Sequence, residues 1–333
     1  MIENSMSHGE IVEILEPAIP IIDSHIHLWE DREPRYGFDE FRVDIESGHK
    51  IVGAIFVECG MGYRRVGNER FFPIGESEWL IKVDPGSLIV KGVVAHADLM
   101  LSTDVDEVLE EHFRVLGSRF SGIRHTTFWE STGAVNWYST IQPSMMLSSP
   151  FQEGVRSLAR RDLVFDCFVS FSQLDEVYAL AMAVPEARIV VNHLGGPIAV
   201  GAYSSVHDEA HSRWTQELKK LSEVPSVYLK LGGIGMSYYG HHWRDSDALP
   251  TSDDILRYWG PVLRECIEMF GPEKCMFESN FPVDGNGFPK NLRTLSYAQL
   301  WNAYKRVAGE YSNVERNQML FNNAKNIYQL KEL

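Results

Sequence analysis

The chain of 333 residues is short of the features that several protein classes require. Cysteine is scarce: Cys59, Cys167, Cys266 and Cys275 are scattered, with no Cys-x-x-Cys pair. Cys59, Cys167 and Cys275 lie in apolar, strand-like runs, so reduced, buried thiols and a cytoplasmic setting are expected. No apolar run approaches the ~20 residues of a membrane span. The acidic start, Met1 to Glu16, lacks the basic and apolar regions of a secretory signal. Positive charge is also short, with 31 Lys and Arg against 46 Asp and Glu and a net of −15. That balance argues against a nucleic-acid partner, because phosphate binding needs clustered cations. Any anionic substrate must therefore be met by local basic residues. No Gly-x-Gly-x-x-Gly follows the first strand-like run, which speaks against an open dinucleotide-binding sheet. Internal repeats, low-complexity tracts and linkers are missing too.

What is present is a regular alternation. With 44% hydrophobic residues the chain can bury a large core. Short apolar runs at 20–25, 51–57, 88–95, 122–127, 164–169, 189–192, 227–231 and 275–279 read as eight strands. Helical periodicity occupies 104–116, 152–161, 174–183, 208–221, 252–269 and 296–308, with Asp104 and Ser252 as candidate N-caps. Eight strands alternating with helices predict a parallel sheet closed into a (β/α)8 TIM barrel. Residues 1–19 read as an N-terminal extension and 20–333 as one domain, with 312–330 an extra C-terminal helix on the outside or bottom.

In such a barrel, chemistry sits where the strands end and in the loops that follow. Three long βα loops are expected, at 60–80, 128–151 and 232–251. They carry Tyr63, Arg64, Arg65, Arg70, Trp129, Trp137, Tyr138, Met145, Met146, Tyr238, Tyr239 and Trp243. Aromatic and basic side chains over a barrel mouth suit a flat or ring-shaped anionic small molecule. Packing the loops down is the plainer role, and exposed loop aromatics also fit a homodimer.

The strand ends are unusually polar. The first run, Ile21-Ile22-Asp23-Ser24-His25-Ile26-His27-Leu28-Trp29, places two histidines two apart, so both imidazoles emerge on one face. The second ends in Glu58, the third in His96 and Asp98, and the fifth carries Asp166. In the fourth, only one of Arg124 and His125 can face the interior. The sixth breaks at His193 in Asn-His-Leu-Gly-Gly-Pro, the seventh offers Lys230, and the eighth offers Glu278, Asn280 and then Asp284. A lone histidine after an apolar run is an ordinary structural residue. His25, His27 and His193 together, with Glu58, are a ligand set for one divalent metal, zinc first and manganese next. A metal there can polarise a carbonyl and lower the pKa of its water to about 7. Arg124 suits an oxyanion or a substrate carboxylate, although a salt bridge to Asp166 is its structural alternative. Lys230, His125, Trp29, Tyr63 and Tyr238 are the substrate-contact candidates. His96, His241 and His242 have no assigned role.

These residues resemble the amidohydrolase superfamily, in the branch called amidohydrolase family 2. The resemblance rests on His25-Ile26-His27 with its Leu28-Trp29 continuation, on His193 in Asn-His-Leu-Gly-Gly-Pro, and on Phe277-Glu278-Ser279-Asn280-Phe281-Pro282. It spans nearly the whole chain and implies a TIM-barrel hydrolase of the lactonase-like group. The family usually ends its eighth strand with an aspartate that binds metal or takes a proton from water; this chain has Asn280, which cannot take one. Asp284, Glu278 or Glu58 then has to resupply the carboxylate. The resemblance also allows a metal-free mechanism, in which His25, His27 and His193 polarise the substrate directly.

The expected activity is hydrolysis by metal-activated water of a cyclic ester, or second to it a cyclic amide, that carries a carboxylate or polar ring substituent, with a metal-dependent decarboxylase of an aromatic or enoic acid as first rival. A barrel that has lost catalysis and binds a ligand is the second rival.

Overall fold

The computed structural model describes residues 12–135, 141–240, 249–287, 292–293 and 295–331. Eight parallel strands lie in sequential order. They are β1 (Pro20–Ile26), β2 (Lys50–Val57), β3 (Val90–Ala95), β4 (Phe120–Arg124), β5 (Val164–Cys167), β6 (Arg188–Val191), β7 (Val227–Leu231) and β8 (Cys275–Phe277). Helices α1 (Phe38–Ile45), α2 (Ile74–Val83), α3 (Val105–Leu116), α4 (Ser149–Ala159), α5 (Leu174–Ala183), α6 (His207–Ser222), α7 (Ser252–Phe270) and α8 (Tyr297–Ala308) follow the strands in turn. The β1–β8 seam is closed just past the strands, where Asn280 N donates to His25 O (3.0 Å) and His27 N to Phe281 O (2.7 Å). This is the predicted (β/α)8 barrel.

All eight expected strands are found, most of them with ends moved by one to three residues. Two helices escaped the periodicity. The eight-residue α1 is short, and α2 begins at Ile74, inside the 60–80 stretch expected as loop, and runs past it to Val83. The predicted caps also shift. Thr251, not Ser252, caps α7, exchanging hydrogen bonds with Asp254 (3.0 and 3.2 Å), while Asp104 precedes α3 without a side-chain cap bond. The segment from Ser312 closes the bottom of the barrel. Its Ala324, Ile327, Tyr328 and Leu330 pack against the interior residues Ile22, Ile55, Val94, Val164, Val190 and Met276. The four cysteines are free thiols, three of them buried. Among the described residues no helix is long and apolar enough to cross a membrane.

Candidate active site

The site is built where β1, β2, β4, β6 and β8 end. A register shift between Asp23 and Ile26 interrupts the regular alternation of β1. Asp23 therefore points away from the histidines: its carboxylate accepts from Ser279 N (2.9 Å) and from Tyr297 Oη of α8 (3.0 Å). His25 and His27 emerge together, with ring centroids 4.8 Å apart. After β6 the chain takes four left-handed residues in succession, His193, Leu194, Gly195 and Gly196, with φ of 52°, 55°, 71° and 63°. Non-glycine residues pay about 1–3 kcal/mol each for such a conformation. Here it brings His193 back against His25, with centroids 4.7 Å apart. Gly196 shows why this turn needs glycine: a Cβ there would meet Val169 O at 2.1 Å. Gly196→Ala is expected to destabilise the protein by about 3 kcal/mol or more, read as a lowered thermal midpoint by circular dichroism.

Every one of the three imidazoles is oriented through Nδ1. His27 Nδ1 donates to Val57 O (2.8 Å), so Nε2 of the neutral ring carries a lone pair. His193 Nδ1 donates to Glu278 Oε1 (2.7 Å), which also accepts from His193 N (3.0 Å). His25 is the hub. Its Nδ1 lies 2.8 Å from Glu278 Oε2 and 3.3 Å from Lys230 Nζ. Its Nε2 lies 3.1 Å from His27 Nε2 and 3.4 Å from Arg124 Nη1. Burial, then the nearby Lys230, His193, His27 and Arg124, holds the His25 ring well below the ordinary imidazole pKa. Burial, then Arg124, does the same to His27 despite the Val57 hydrogen bond. Both rings are neutral at physiological pH.

A neutral His25 has one ring proton and two places that need it. With the proton on Nε2 it donates to His27, Nδ1 accepts from Lys230, and Glu278 Oε2 stays buried without a hydrogen bond. With the proton on Nδ1, Glu278 is satisfied, and two lone pairs face each other 3.1 Å apart. A cation held by these imidazoles would resolve both demands, and a carboxylate behind a ligating histidine is the usual outer support of a metal. The residues fit a divalent metal: His25, His193 and Glu278 form a compact group, their ligand atoms within 4.8 Å of one another, and His27 joins it through His25 rather than as a member of that group.

The other candidates fall in different places. Arg124 faces inward, but its partner is Glu58 rather than Asp166: Nε donates to Oε1 (2.7 Å) and Nη2 to Glu58 O (2.6 Å). Phe168, after β5, lies under the guanidinium at 5.9 Å and against His193 at 5.3 Å. Glu58 is thus tied to Arg124 and stands outside the compact ligand group. Glu76 holds the loop after β2 through the amides of Cys59 and Met61 (2.9 Å each), its pKa pushed up to about 8 by burial and by Glu58. His125, the outward member of its pair, accepts from Leu99 N (3.1 Å) and packs on Phe151. Trp29 is used up locally, its indole donating to Pro34 O (2.7 Å). Lys230 lies inside the barrel, fully buried on Asp166 (3.1 and 3.2 Å) and 3.3 Å from His25 Nδ1. Tyr63 stacks loosely on His96 (6.4 Å), and Glu58 is among the charges raising its pKa, after burial. Tyr238 is buried on Phe128 and Tyr239, and Tyr239 Oη donates to His193 O (2.6 Å). Asp284 has a donor on each oxygen, Asn280 Nδ2 on Oδ1 (2.7 Å) and Gly235 N on Oδ2 (2.8 Å). This fixes the Asn280 amide, whose buried Oδ1 has no hydrogen-bond partner among the described residues. Trp137, Tyr138, His241, His242 and Trp243 lie outside the described residues.

Sequence reasoning missed the buried group of Asp166, Asn192 and Tyr328 beneath Lys230. A charge inside Val-Phe-Asp-Cys was its one visible sign.

A parallel barrel with converging imidazoles and carboxylates at its strand ends has the groups that metal-assisted hydrolysis requires. The amidohydrolase family model, Amidohydro_2, matches residues 22–330, and the chain belongs to that family. An uncharacterized protein of Sinorhizobium fredii, y4mH, is 28% identical over 336 residues, covering 94% of this chain and 99% of its own. An L-fucono-1,5-lactonase of Burkholderia multivorans is 26% identical over 320 residues, covering 93% and 96%. A crystal structure of an amidohydrolase from Burkholderia multivorans with bound HEPES superposes with a TM-score of 0.71 at 25% identity, covering 93% of this chain and 99% of that one.

Proposed function

We propose that the protein opens the ring of a small cyclic ester, with one divalent cation held by His25, His27 and His193. The convergence of the His25 and His27 Nε2 atoms, 3.1 Å apart with their Nδ1 partners in place, carries this reading. The similarity to an L-fucono-1,5-lactonase supports the ester class. A set of imidazoles suits zinc, and manganese next. When bound, such a cation polarises a carbonyl and lowers the pKa of water to about 7.

The chain's own residues supply the rest. Arg124, clamped through Nε and Nη2 on Glu58, keeps Nη1 beside the imidazole cluster, placed to donate to a carbonyl oxygen as charge develops on it. Asn280 Oδ1, held by Asp284, accepts a hydrogen bond from water or a substrate hydroxyl but has no site for its proton. Of the three carboxylates, Asp284 has both oxygens occupied, and Glu278 supports His25 and His193. Glu58 keeps one oxygen free of hydrogen bonds from described residues, on a side chain 12% exposed. It is the carboxylate that takes the proton from the attacking water. This moves Glu58 from metal ligand to base and makes Glu278 a support. The four free thiols are in keeping with a cytoplasmic enzyme.

Turnover of sugar lactones and related cyclic esters in ¹⁸O-water is the direct test. Ring opening is expected to place one labelled oxygen in the product carboxylate. Carbon dioxide release without label uptake, from an aromatic or enoic acid, would replace the hydrolase by a lyase.

A further inference from the structure

The barrel interior below the site holds a buried polar cluster. Asp166 on β5, Lys230 on β7 and Tyr328 from the C-terminal segment are all at most 1% exposed. Barrel interiors are ordinarily filled by branched apolar side chains, and burying an ion pair is costly unless its remaining hydrogen bonds are met. Here they are met. Lys230 Nζ donates to both oxygens of Asp166, at 3.1 and 3.2 Å. Tyr328 Oη donates to Asp166 Oδ2, and Asn192 Nδ2 to Oδ1. The Lys230 ammonium lies 5.4 Å from the centre of the Tyr328 ring. An ammonium has three protons. Two directions are taken by Asp166, and the third contact is His25 Nδ1 at 3.3 Å.

We infer that Tyr328 is a positioning residue for the active site, acting through Asp166 and Lys230 to set how His25 presents its ring nitrogens. This rests on the reading of His25 as a metal-facing residue. The contact between Lys230 and His25 Nδ1 competes with Glu278 Oε2, 2.8 Å from the same nitrogen. Where Lys230 sits therefore biases which nitrogen of the neutral ring holds the proton, and so whether Nε2 offers a lone pair toward His27. Asp166 fixes Lys230, and Tyr328 with Asn192 fixes Asp166. A residue at the bottom of the barrel, in the segment that follows the eighth βα unit, thereby reaches the catalytic end.

The test uses Tyr328→Phe, which keeps the ring, its packing and its contact with the Lys230 ammonium and removes only the hydroxyl. Lys230→Met removes the donor at similar length. Full-length protein with ¹⁵N-labelled histidine is observed metal-free, and the His25 ring signals are assigned by their loss in His25→Ala. Both variants are expected to move the His25 nitrogen signals, and Tyr328→Phe is expected to add nothing in a Lys230→Met background. Titration with Co²⁺ is then expected to show binding weakened by about 10-fold in Tyr328→Phe, the lower end for residues behind a metal ligand. Unmoved His25 signals in Tyr328→Phe overturn the inference, whether or not Lys230→Met moves them. An additive effect in the double variant overturns it equally. The nitrogen signals are read without metal or substrate, so they judge this relay even if wild-type protein takes up no Co²⁺, an outcome that would instead end the metal reading.

Discussion

Protein purified without chelator is expected to carry about one equivalent of divalent metal, and His25→Ala is expected to carry none. Activity should fall with the metal by about 10³-fold or more, the scale of several kcal/mol of transition-state stabilisation. His25 is the most consequential single residue because each of its nitrogens touches two other site groups: Glu278 and Lys230 on one side, His27 and Arg124 on the other. The fold should survive the substitution. Lys230 keeps Asp166 and Glu278 keeps His193, so no buried charge is left alone. Plasma mass spectrometry gives the metal content and far-ultraviolet circular dichroism the fold. Full metal occupancy in an inactive His25→Ala protein would place His25 outside the coordination sphere.

Glu58→Gln is expected to lower kcat by about 10²–10⁴-fold, the usual contribution of a general base, with metal content unchanged. The amide is close in shape to the carboxylate and its oxygen can still accept from Arg124 Nε, so Arg124 should hold its place. Glu278→Gln should behave differently. An amide cannot accept from both His25 and His193 through two carboxylate oxygens, and the predicted result is metal affinity weakened by about 10–100-fold. Asp284→Asn belongs to a third class. Gly235 N and Asn280 Nδ2 both donate to Asp284, so one of these bonds must break or the Asn280 amide must turn. A modest loss of kcat with metal retained is expected there. Measuring kcat and metal content in parallel separates the three carboxylates, and the greatest loss of kcat at full metal occupancy in Glu278→Gln would transfer the base from Glu58 to Glu278.

Periodicity is a local property, and it was enough for the architecture. Short apolar runs mark eight strands and helical periodicity six of the eight helices that follow them, and eight parallel strands close into a barrel by geometry. The strand-end motifs were equally legible. His25-Ile26-His27, Asn192-His193-Leu194-Gly195-Gly196 and the Glu278 to Asp284 stretch name the residues near the site because strand ends in a barrel converge.

What the sequence by itself could not determine was which of those residues meet. Arg124 finds Glu58 across 66 positions rather than Asp166, because Asp166 is already held by Lys230. The register shift in β1 turns Asp23 away from the histidines two residues on. Lys230 is buried on Asp166, and Tyr328 reaches Asp166 from 162 positions away. Each of these outcomes depends on distances and on competition for hydrogen-bond partners inside a closed barrel, where every buried polar group must find a partner among those the fold brings near. The chain's pattern chose the fold and the end where the polar strand ends gather; the barrel's interior decided which imidazole nitrogens face one another, which carboxylates are fully hydrogen-bonded, and which buried charges pair.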